Sequence, residues 1–179
     1  IVGNNAAELV ESTLTLNLNE PNAISNTDWI KPGKYIGLWW EMIGTNESTW
    51  GSGPHHGAKT ERVLNYIDFG SKHGFDGVLV EGWNTGWDED WCCTGDGEAF
   101  GFSNPHPDFD SKKVYDYAKQ KGIRIVGHHE TGTQIENYES QLESAFAFCQ
   151  QNGIRVVKTG YVNDGSQNIK RIDENGVIH

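Results

Sequence analysis

One pattern occurs three times along the chain and limits the folds that it can adopt. Each copy has helical periodicity, then a glycine after His, Lys or Asn, then a short apolar run, with the glycines at Gly74, Gly122 and Gly153. A glycine fits the end of a helix because it adopts a positive φ without the steric cost that a Cβ brings. Successive strands that are joined by helices must be parallel. The repeat therefore predicts an α/β fold with a parallel sheet.

An apolar segment before the first copy adds a strand, so that four strands are predicted. They are Tyr35–Trp40, Gly77–Val80, Arg124–Gly127 and Val156–Lys158. Apolar residues throughout each strand suit a sheet that is covered on both faces. Two architectures meet this condition, an open doubly wound sheet and part of a (β/α)8 barrel.

The residues that follow the strands favour the barrel. Carboxylates, imidazoles, an amine or tryptophans come after every strand, and in a barrel those strand ends converge on one mouth. An open sheet would instead concentrate its chemistry at one switch point. A complete barrel needs about 250 residues, whereas this chain has 179. We therefore predict a truncated, partial (β/α)8 barrel, its first four β/α units, over residues 29–179.

Composition and charge exclude several classes of partner. The formal net charge is −11 at pH 7, which repels phosphate backbones and anionic lipid, so we expect neither a nucleic-acid nor a membrane partner. No Gly-rich phosphate loop follows the first predicted strand, so a nucleotide site is not indicated. The three cysteines, Cys92, Cys93 and Cys149, lack metal-ligand spacing, and we assign them no chemistry.

Ionisable side chains at the strand ends are the candidates for catalysis. Glu81 and Glu130 follow neighbouring predicted strands, and sugar hydrolysis uses paired carboxylates as acid, base or nucleophile. His128 and His129 precede Glu130 at the end of an apolar strand. Because burying unpaired ionisable groups is costly, their presence there indicates a functional site. Lys158 ends the fourth strand, where it contacts a substrate hydroxyl, pairs with Glu130 or forms a structural ion pair.

Tryptophans near the same strand ends favour a carbohydrate ligand, because the apolar faces of sugar rings stack on aromatic side chains. These are Trp39, Trp40, Trp83, Trp87 and Trp91. We expect about half of them to pack under loops instead. The acidic segment Trp83–Asp110 is a lid, a Ca²⁺ site or a solvated loop, and the solvated loop is favoured over the metal site.

Five motifs in a fixed order resemble those of a known family. They are Trp29–Tyr35, Trp39–Glu41, Gly74–Trp83, His128–Gly132 and Val157–Val162. Together, from about Trp29 to about Asp164, they resemble glycoside hydrolase family 97, which contains α-glucosidases and α-galactosidases.

Residues 1–28 are predicted to belong to a different domain from the repeat. Leu14, Leu16 and Leu18 alternate with polar residues, as in a half-buried strand. The resemblance implies that this is the exit strand of a preceding β-sandwich domain, followed by a linker.

The resemblance also implies a calcium-dependent enzyme, with most Ca²⁺ ligands outside this chain, an α-linked oligosaccharide substrate and a periplasmic or secreted location. Glu130 matches a family carboxylate proposed as a general base, while Glu81, His128 and Lys158 match sugar-binding positions. The candidate site is then Glu130 for catalysis and, for substrate binding, Glu81, His128, His129, Lys158, Trp40 and Trp83.

The stereochemistry of hydrolysis is predicted from one small residue. Retaining, galactosidase-like members of the family have an Asp nucleophile at the end of the fourth strand, where this chain has Gly160. It therefore resembles the inverting, α-glucosidase-like branch, whose carboxylates stand roughly 6.5–9.5 Å apart to admit a water. Asp164 is the alternative nucleophile.

Two other functions stay open, a retaining α-galactosidase and a carbohydrate-binding module without catalysis. The chain is expected to be inactive alone, because the family's general acid and second base would lie outside it. The open strand edges of half a barrel predict self-association.

Overall fold

The computed structural model describes residues 2–45, 47–88, 91, 100–132 and 134–160. Its elements are, in chain order, α1 (Ala6–Glu11), α2 (Leu14–Asn17), β1 (Tyr35–Gly37), α3 (Trp39–Gly44), α4 (Thr60–Lys72), β2 (Gly77–Leu79), α5 (Ser111–Lys121), β3 (Arg124–His129), α6 (Ile135–Gln151) and β4 (Val156–Thr159). The chain divides into two compact units, Ile1–Pro32 and Gly33–His179. Among the helices in these ranges, none is long and apolar enough to cross a membrane.

The first unit is helical where a strand was predicted, so that prediction is wrong. Leu14–Asn17 form the helix α2, and Leu14, Leu16 and Leu18 are all exposed. A lone strand would leave its backbone N–H and C=O groups without partners, whereas a helical turn pairs them locally. The N–H of Leu18, for example, donates to the carbonyl of Leu14 at 3.0 Å. That residues 1–28 follow a β-sandwich domain stays a prediction.

The four strands form one parallel sheet in the order β1-β2-β3-β4. Helices lie in each connection, α3 and α4 in the first, α5 in the second and α6 in the third. A doubly wound sheet reverses its strand order at a switch point, and these four strands contain no reversal. The structure confirms the α/β prediction and agrees with the first four units of a (β/α)8 barrel. Closure of the barrel stays a prediction.

The repeat glycines have the backbone conformation that the sequence predicted. Gly74, Gly122 and Gly153 have φ angles of 70°, 70° and 71°. They follow α4, α5 and α6 respectively, and each turns the chain toward the next strand. A left-handed residue at this point ends a helix while satisfying its last carbonyl groups.

The main hydrophobic core lies between one face of the sheet and helices α4 and α5. Its buried members include Val63 and Ile67 from α4, Val78 from β2, Val80 just after β2, Val114 and Ala118 from α5, and Ile125 from β3. Side chains alternate between the two faces along a strand. Residues that alternate with this core set therefore lie on the other face of the sheet.

The first strand is shorter than predicted. β1 ends at Gly37, and Trp39 and Trp40 belong to the helix α3. Leu38 and Met42 are one helical turn apart, and both are buried, at 1% and 3% exposure. Helical geometry places both side chains in the core, which an extended strand would not do.

Candidate active site

The strand register brings three of the predicted site residues into one row. Leu79 pairs with Val126 across β2 and β3, and His128 pairs with Lys158 across β3 and β4. Glu81 and His128 come two residues after that first pair, so they lie on the same face of the sheet. Glu81, His128 and Lys158 are consequently side by side at the carboxyl ends of the strands.

Glu81 is the central group of this row, and its side chain is 5% exposed. Lys158 donates from Nζ to Oε1 at 3.1 Å, and Trp50 donates from Nε1 to Oε2 at 3.3 Å. The Nε2 atom of His128 lies 3.7 Å from Oε1. Lys158 is thus an ion-pair partner of Glu81. The sequence analysis had named Glu130 as the carboxylate that Lys158 could pair with. Its side chain stays 45% exposed, so the amine also faces solvent.

His128 is neutral in this site. Burial lowers its pKa from 6.5 to about 3, with further contributions from the Lys158 ammonium and from the electrostatic interaction with the neighbouring His129. A neutral imidazole offers one donor and one acceptor nitrogen. Trp87 stacks on the ring with a centroid distance of 5.9 Å, while Nδ1 has no hydrogen-bond partner among the described residues. The ring is held in place by stacking and still has a nitrogen to offer a ligand.

Glu130 lies directly beyond the row, where β3 ends, and is 3% exposed. The N–H of Gly132 donates to its Oε1 at 3.0 Å. Its carboxylate also packs against Gly160, and a Cβ built on Gly160 would overlap the carboxylate atoms. Only glycine at position 160 is therefore compatible with this placement of Glu130.

Sequence analysis missed Trp50, because this residue lies in the loop between α3 and α4 and not at a strand end. It stacks with Trp87 at 6.3 Å and meets Trp91 edge-on at 5.9 Å. Its indole N–H binds Glu81. A tryptophan within a Gly-rich loop is the sequence signal that could have identified it.

The structure does not bring His129 into the row, and its contact with substrate stays a prediction. As the neighbour of His128 on a strand, it points to the opposite, helix-covered face. Its Nδ1 lies 3.0 Å from the hydroxyl of Tyr138, and its Nε2 lies 3.7 Å from the Sγ of Cys149, both on α6. Burial lowers its pKa to about 4, so this histidine is neutral too. It joins β3 to α6.

The two tryptophans proposed as sugar contacts have different positions. Trp83 is 5% exposed and belongs to the main core, where it stacks on Phe148 of α6 at 5.3 Å. The structure therefore places Trp83 away from the row, and its contact with substrate stays a prediction. Its indole N–H donates to the backbone carbonyl of His128 at 3.0 Å, so it supports the site from behind. Trp40 is 73% exposed on α3, and its contact with sugar stays a prediction.

Glu41, which the sequence analysis placed at the mouth, is part of a structural cluster. It forms an ion pair with Arg62 of α4. The hydroxyls of Ser48 and Tyr66 each donate to it at 2.8 Å. These contacts fasten α3 to α4 and satisfy the carboxylate.

Several predictions concern residues outside the described ranges. They are Asp164 as alternative nucleophile, Cys92 and Cys93, and the acidic residues Glu89, Asp90, Asp96 and Glu98 of the proposed lid or calcium loop.

Parallel β/α units with carboxylates, an imidazole and an amine gathered at the strand ends are compatible with a glycoside hydrolase, whose chemistry uses paired carboxylates. A family model described as "Glycoside hydrolase 97" matches residues 39–177. The chain belongs to glycoside hydrolase family 97.

Relatives of known function and structure agree with this assignment. The retaining alpha-galactosidase of Bacteroides thetaiotaomicron is 25% identical over 167 residues, which cover 89% of this chain and 22% of that protein. A glycoside hydrolase family 97 enzyme from Pseudoalteromonas sp. strain K8 has been solved with acarbose and, as a variant, with panose. Each of these structures is 52% identical and matches 99% of this chain and 26% of its own, with a TM-score of 0.84. The chain spans about a quarter of the length of these relatives.

Proposed function

We propose that the chain is part of the catalytic domain of an α-glycoside hydrolase, and that it holds the terminal sugar and one catalytic carboxylate. The observation that carries the proposal is the row of Glu81, His128 and Lys158 with Glu130 directly beyond it. Glu81 accepts hydrogen bonds from sugar hydroxyls, Lys158 donates them, and neutral His128 does either.

In this mechanism Glu130 is the general base. Its carboxylate takes a proton from the water that attacks the anomeric carbon, while a general acid protonates the leaving oxygen. The N–H of Gly132 orients the Glu130 carboxylate. We place the general acid in another part of the enzyme, since the matched structures are about four times as long as this chain.

The substrate class that we propose is α-glucosides. The support is the 52% identity to an enzyme solved with acarbose and with panose, of which panose is a trisaccharide of α-linked glucose. The neutral His128 beside the Glu81–Lys158 pair suits a sugar hydroxyl, which both donates and accepts.

We propose inversion at the anomeric carbon. The support is Gly160, which lies where a nucleophile would project from the fourth strand and whose missing Cβ is replaced by the Glu130 carboxylate. Gly160 has no side chain that could attack the anomeric carbon, as the nucleophile of a retaining mechanism does.

Retention by an α-galactosidase is the second candidate, because the curated relative at 25% identity is a retaining alpha-galactosidase. Proton NMR of the first anomer that the full-length enzyme releases from an α-glucoside distinguishes the two. We expect β-glucose, and first release of the α-anomer would overturn inversion. Hydrolysis of α-galactosides alone would overturn the substrate class.

Calcium and cellular location also stay proposals. No group of three or more His, Cys, Asp or Glu residues within the described part of the chain is placed to hold a metal ion. We propose that most of the Ca²⁺ ligands lie outside this chain. A periplasmic or secreted location is proposed on the family resemblance alone.

A further inference from the structure

His56 lies outside the Glu81 row, yet its ring is fully enclosed and makes two short contacts. Its exposure is 2%. Its Nδ1 lies 2.7 Å from Oδ1 of Asp108, and its Nε2 lies 2.8 Å from the carbonyl oxygen of Gly82. The ring of His106 packs beside it with a centroid distance of 4.6 Å.

Both partners of His56 are hydrogen-bond acceptors. A backbone carbonyl cannot donate, so Nε2 must carry a hydrogen, and an ionised carboxylate cannot donate either, so Nδ1 must carry one too. The Asp108 side chain is 38% exposed, so water continues to solvate the carboxylate. A buried cation is tolerated when an anion is paired with it. The geometry therefore describes an imidazolium paired with Asp108.

Both ends of this contact are fixed to the rest of the fold. Thr60, at the start of α4, donates its N–H at 3.0 Å and its hydroxyl at 2.8 Å to the backbone carbonyl of Asp108. Gly82 directly follows Glu81 and has a φ of 78°. The backbone of Trp50 passes so close to Gly82 that a Cβ there would meet it at 3.1 Å.

The loop that contains His56 also carries Trp50. Two backbone hydrogen bonds of 2.8 Å join Thr49 to the residues on either side of His56. Since Trp50 follows Thr49, its position is tied to that of His56. The Trp50 indole then binds Glu81 at 3.3 Å. Hydrogen bonds and the covalent links between chain neighbours thus connect His56 to the Glu81 carboxylate.

We infer that His56 is a positioning residue for Glu81. With a hydrogen on each ring nitrogen, it joins the Gly82 carbonyl to Asp108 and fastens the loop of Trp50 against the Glu81 carboxylate. The inference concerns a residue that does not touch substrate, and only its kinetic readout rests on the proposed function.

Neutron diffraction from crystals of the full-length enzyme tests the protonation directly. We expect nuclear density for a hydrogen on both Nδ1 and Nε2 of His56. Density on one nitrogen alone would overturn the inference. This measurement needs neither a variant nor activity.

Substitution tests the positioning role. In His56→Gln a single amide cannot donate in the two opposite directions that the ring serves. We expect its crystal structure to show Trp50 withdrawn from Glu81, and kcat/KM on an α-glucoside to fall by about tenfold or more, since small misplacements of binding groups lower rates strongly.

Two controls separate positioning from loss of stability. His55→Gln changes the exposed neighbour, whose Nδ1 lies 3.2 Å from the backbone carbonyl of Glu47, and should leave kcat/KM unchanged. Glu41→Gln removes a structural ion pair and should lower the melting temperature while kcat/KM stays unchanged. If His56→Gln behaves like Glu41→Gln, with the Trp50–Glu81 bond intact, the inference is wrong. If the wild-type enzyme hydrolyses no α-glucoside, the proposed function fails, and the two crystallographic readouts still decide the role of His56.

Discussion

Two histidines next to each other at the end of β3 have opposite surroundings. His128 faces the row with Glu81 and Lys158, stacked on Trp87. His129 faces α6, between the hydroxyl of Tyr138 and the thiol of Cys149. Burial keeps both neutral, with pKa values lowered to about 3 and about 4.

The contrast shows that residue type and burial do not identify a site residue. Alternation along the strand assigns His128 to the face of the proposed sugar site, the sugar side, and His129 to the face covered by α6, the helix side. What distinguishes the sugar side is its charged neighbours, Glu81, Lys158 and Glu130, and a nitrogen of His128 that lacks a partner among the described residues. On the helix side, the hydrogen-bond contacts of His129 among the described residues are the neutral hydroxyl of Tyr138 and thiol of Cys149.

The largest effect should come from Glu130 on the sugar side. Glu130→Gln removes the proposed base and should lower kcat by about 10²–10⁴-fold, while affinity for an oligosaccharide is kept. Steady-state kinetics and calorimetric titration of the full-length enzyme measure the two quantities. Unchanged kcat in the variant would remove Glu130 from the mechanism. If the wild-type protein itself bound sugar without any turnover, the binding-module alternative would be favoured.

The next effect concerns Gly160, which contacts the Glu130 carboxylate on the sugar side. A Cβ there overlaps the Glu130 carboxylate, so Gly160→Ala should move the carboxylate and lower kcat by about 10–100-fold. Gly44 at the end of α3 has open space where a Cβ would be, and Gly44→Ala is the matched control that should keep wild-type kinetics. Equal activity of the two variants would contradict the contact between Gly160 and Glu130.

Acid stability probes the helix side. The folded-state pKa of His129 is about 4 and its ordinary value is 6.5, so the unfolded chain binds a proton there that the folded chain does not. The contribution of the neutral His129 to the free energy of unfolding is therefore complete above pH 6.5 and falls as the pH drops toward 4. His129→Gln removes this contribution, and its free energy of unfolding should depend less steeply on pH in that window. If denaturant unfolding gave the same pH dependence of the free energy of unfolding for the variant and the wild type, this contribution of His129 would be ruled out.

The smallest effect should come from Tyr138. Tyr138→Phe removes one hydroxyl from His129 and should cost about 0.5–1.5 kcal/mol of stability, with kcat/KM unchanged. Thermal and denaturant unfolding detect the loss. A drop in kcat/KM as large as that of Gly160→Ala would show that the helix side shares in the reaction and would end the comparison.

The sequence predicted what repeats or follows directly from strand geometry. The glycines after α4, α5 and α6, the parallel strands and the convergence of Glu81, His128 and Lys158 were all predicted, because each depends on local pattern and on register. It did not predict that His129 and Trp83 lie on the helix-covered side of the sheet and not in the row with Glu81. A motif at a strand end contains both residues of a neighbouring pair such as His128 and His129. Their side chains point to opposite faces of the sheet, so only one of them can lie on the face of the site.

The remaining errors have tertiary causes. Trp50 reaches Glu81 from a loop that has no strand-end signal, and the two contacts of His56 join segments that are far apart in the sequence. In Leu14–Asn17, apolar and polar residues alternate as they do in a strand, but the segment forms a helix. A strand forms only where a neighbouring strand can pair with its backbone groups, and the alternation does not reveal whether one is present.

A crystal structure of the full-length Glu130→Gln enzyme with panose tests the central claim most directly. The account predicts that a terminal glucose contacts Glu81, His128 and Lys158, and that His129 stays enclosed by α6. A trisaccharide bound elsewhere, with those three side chains free of sugar, would contradict it.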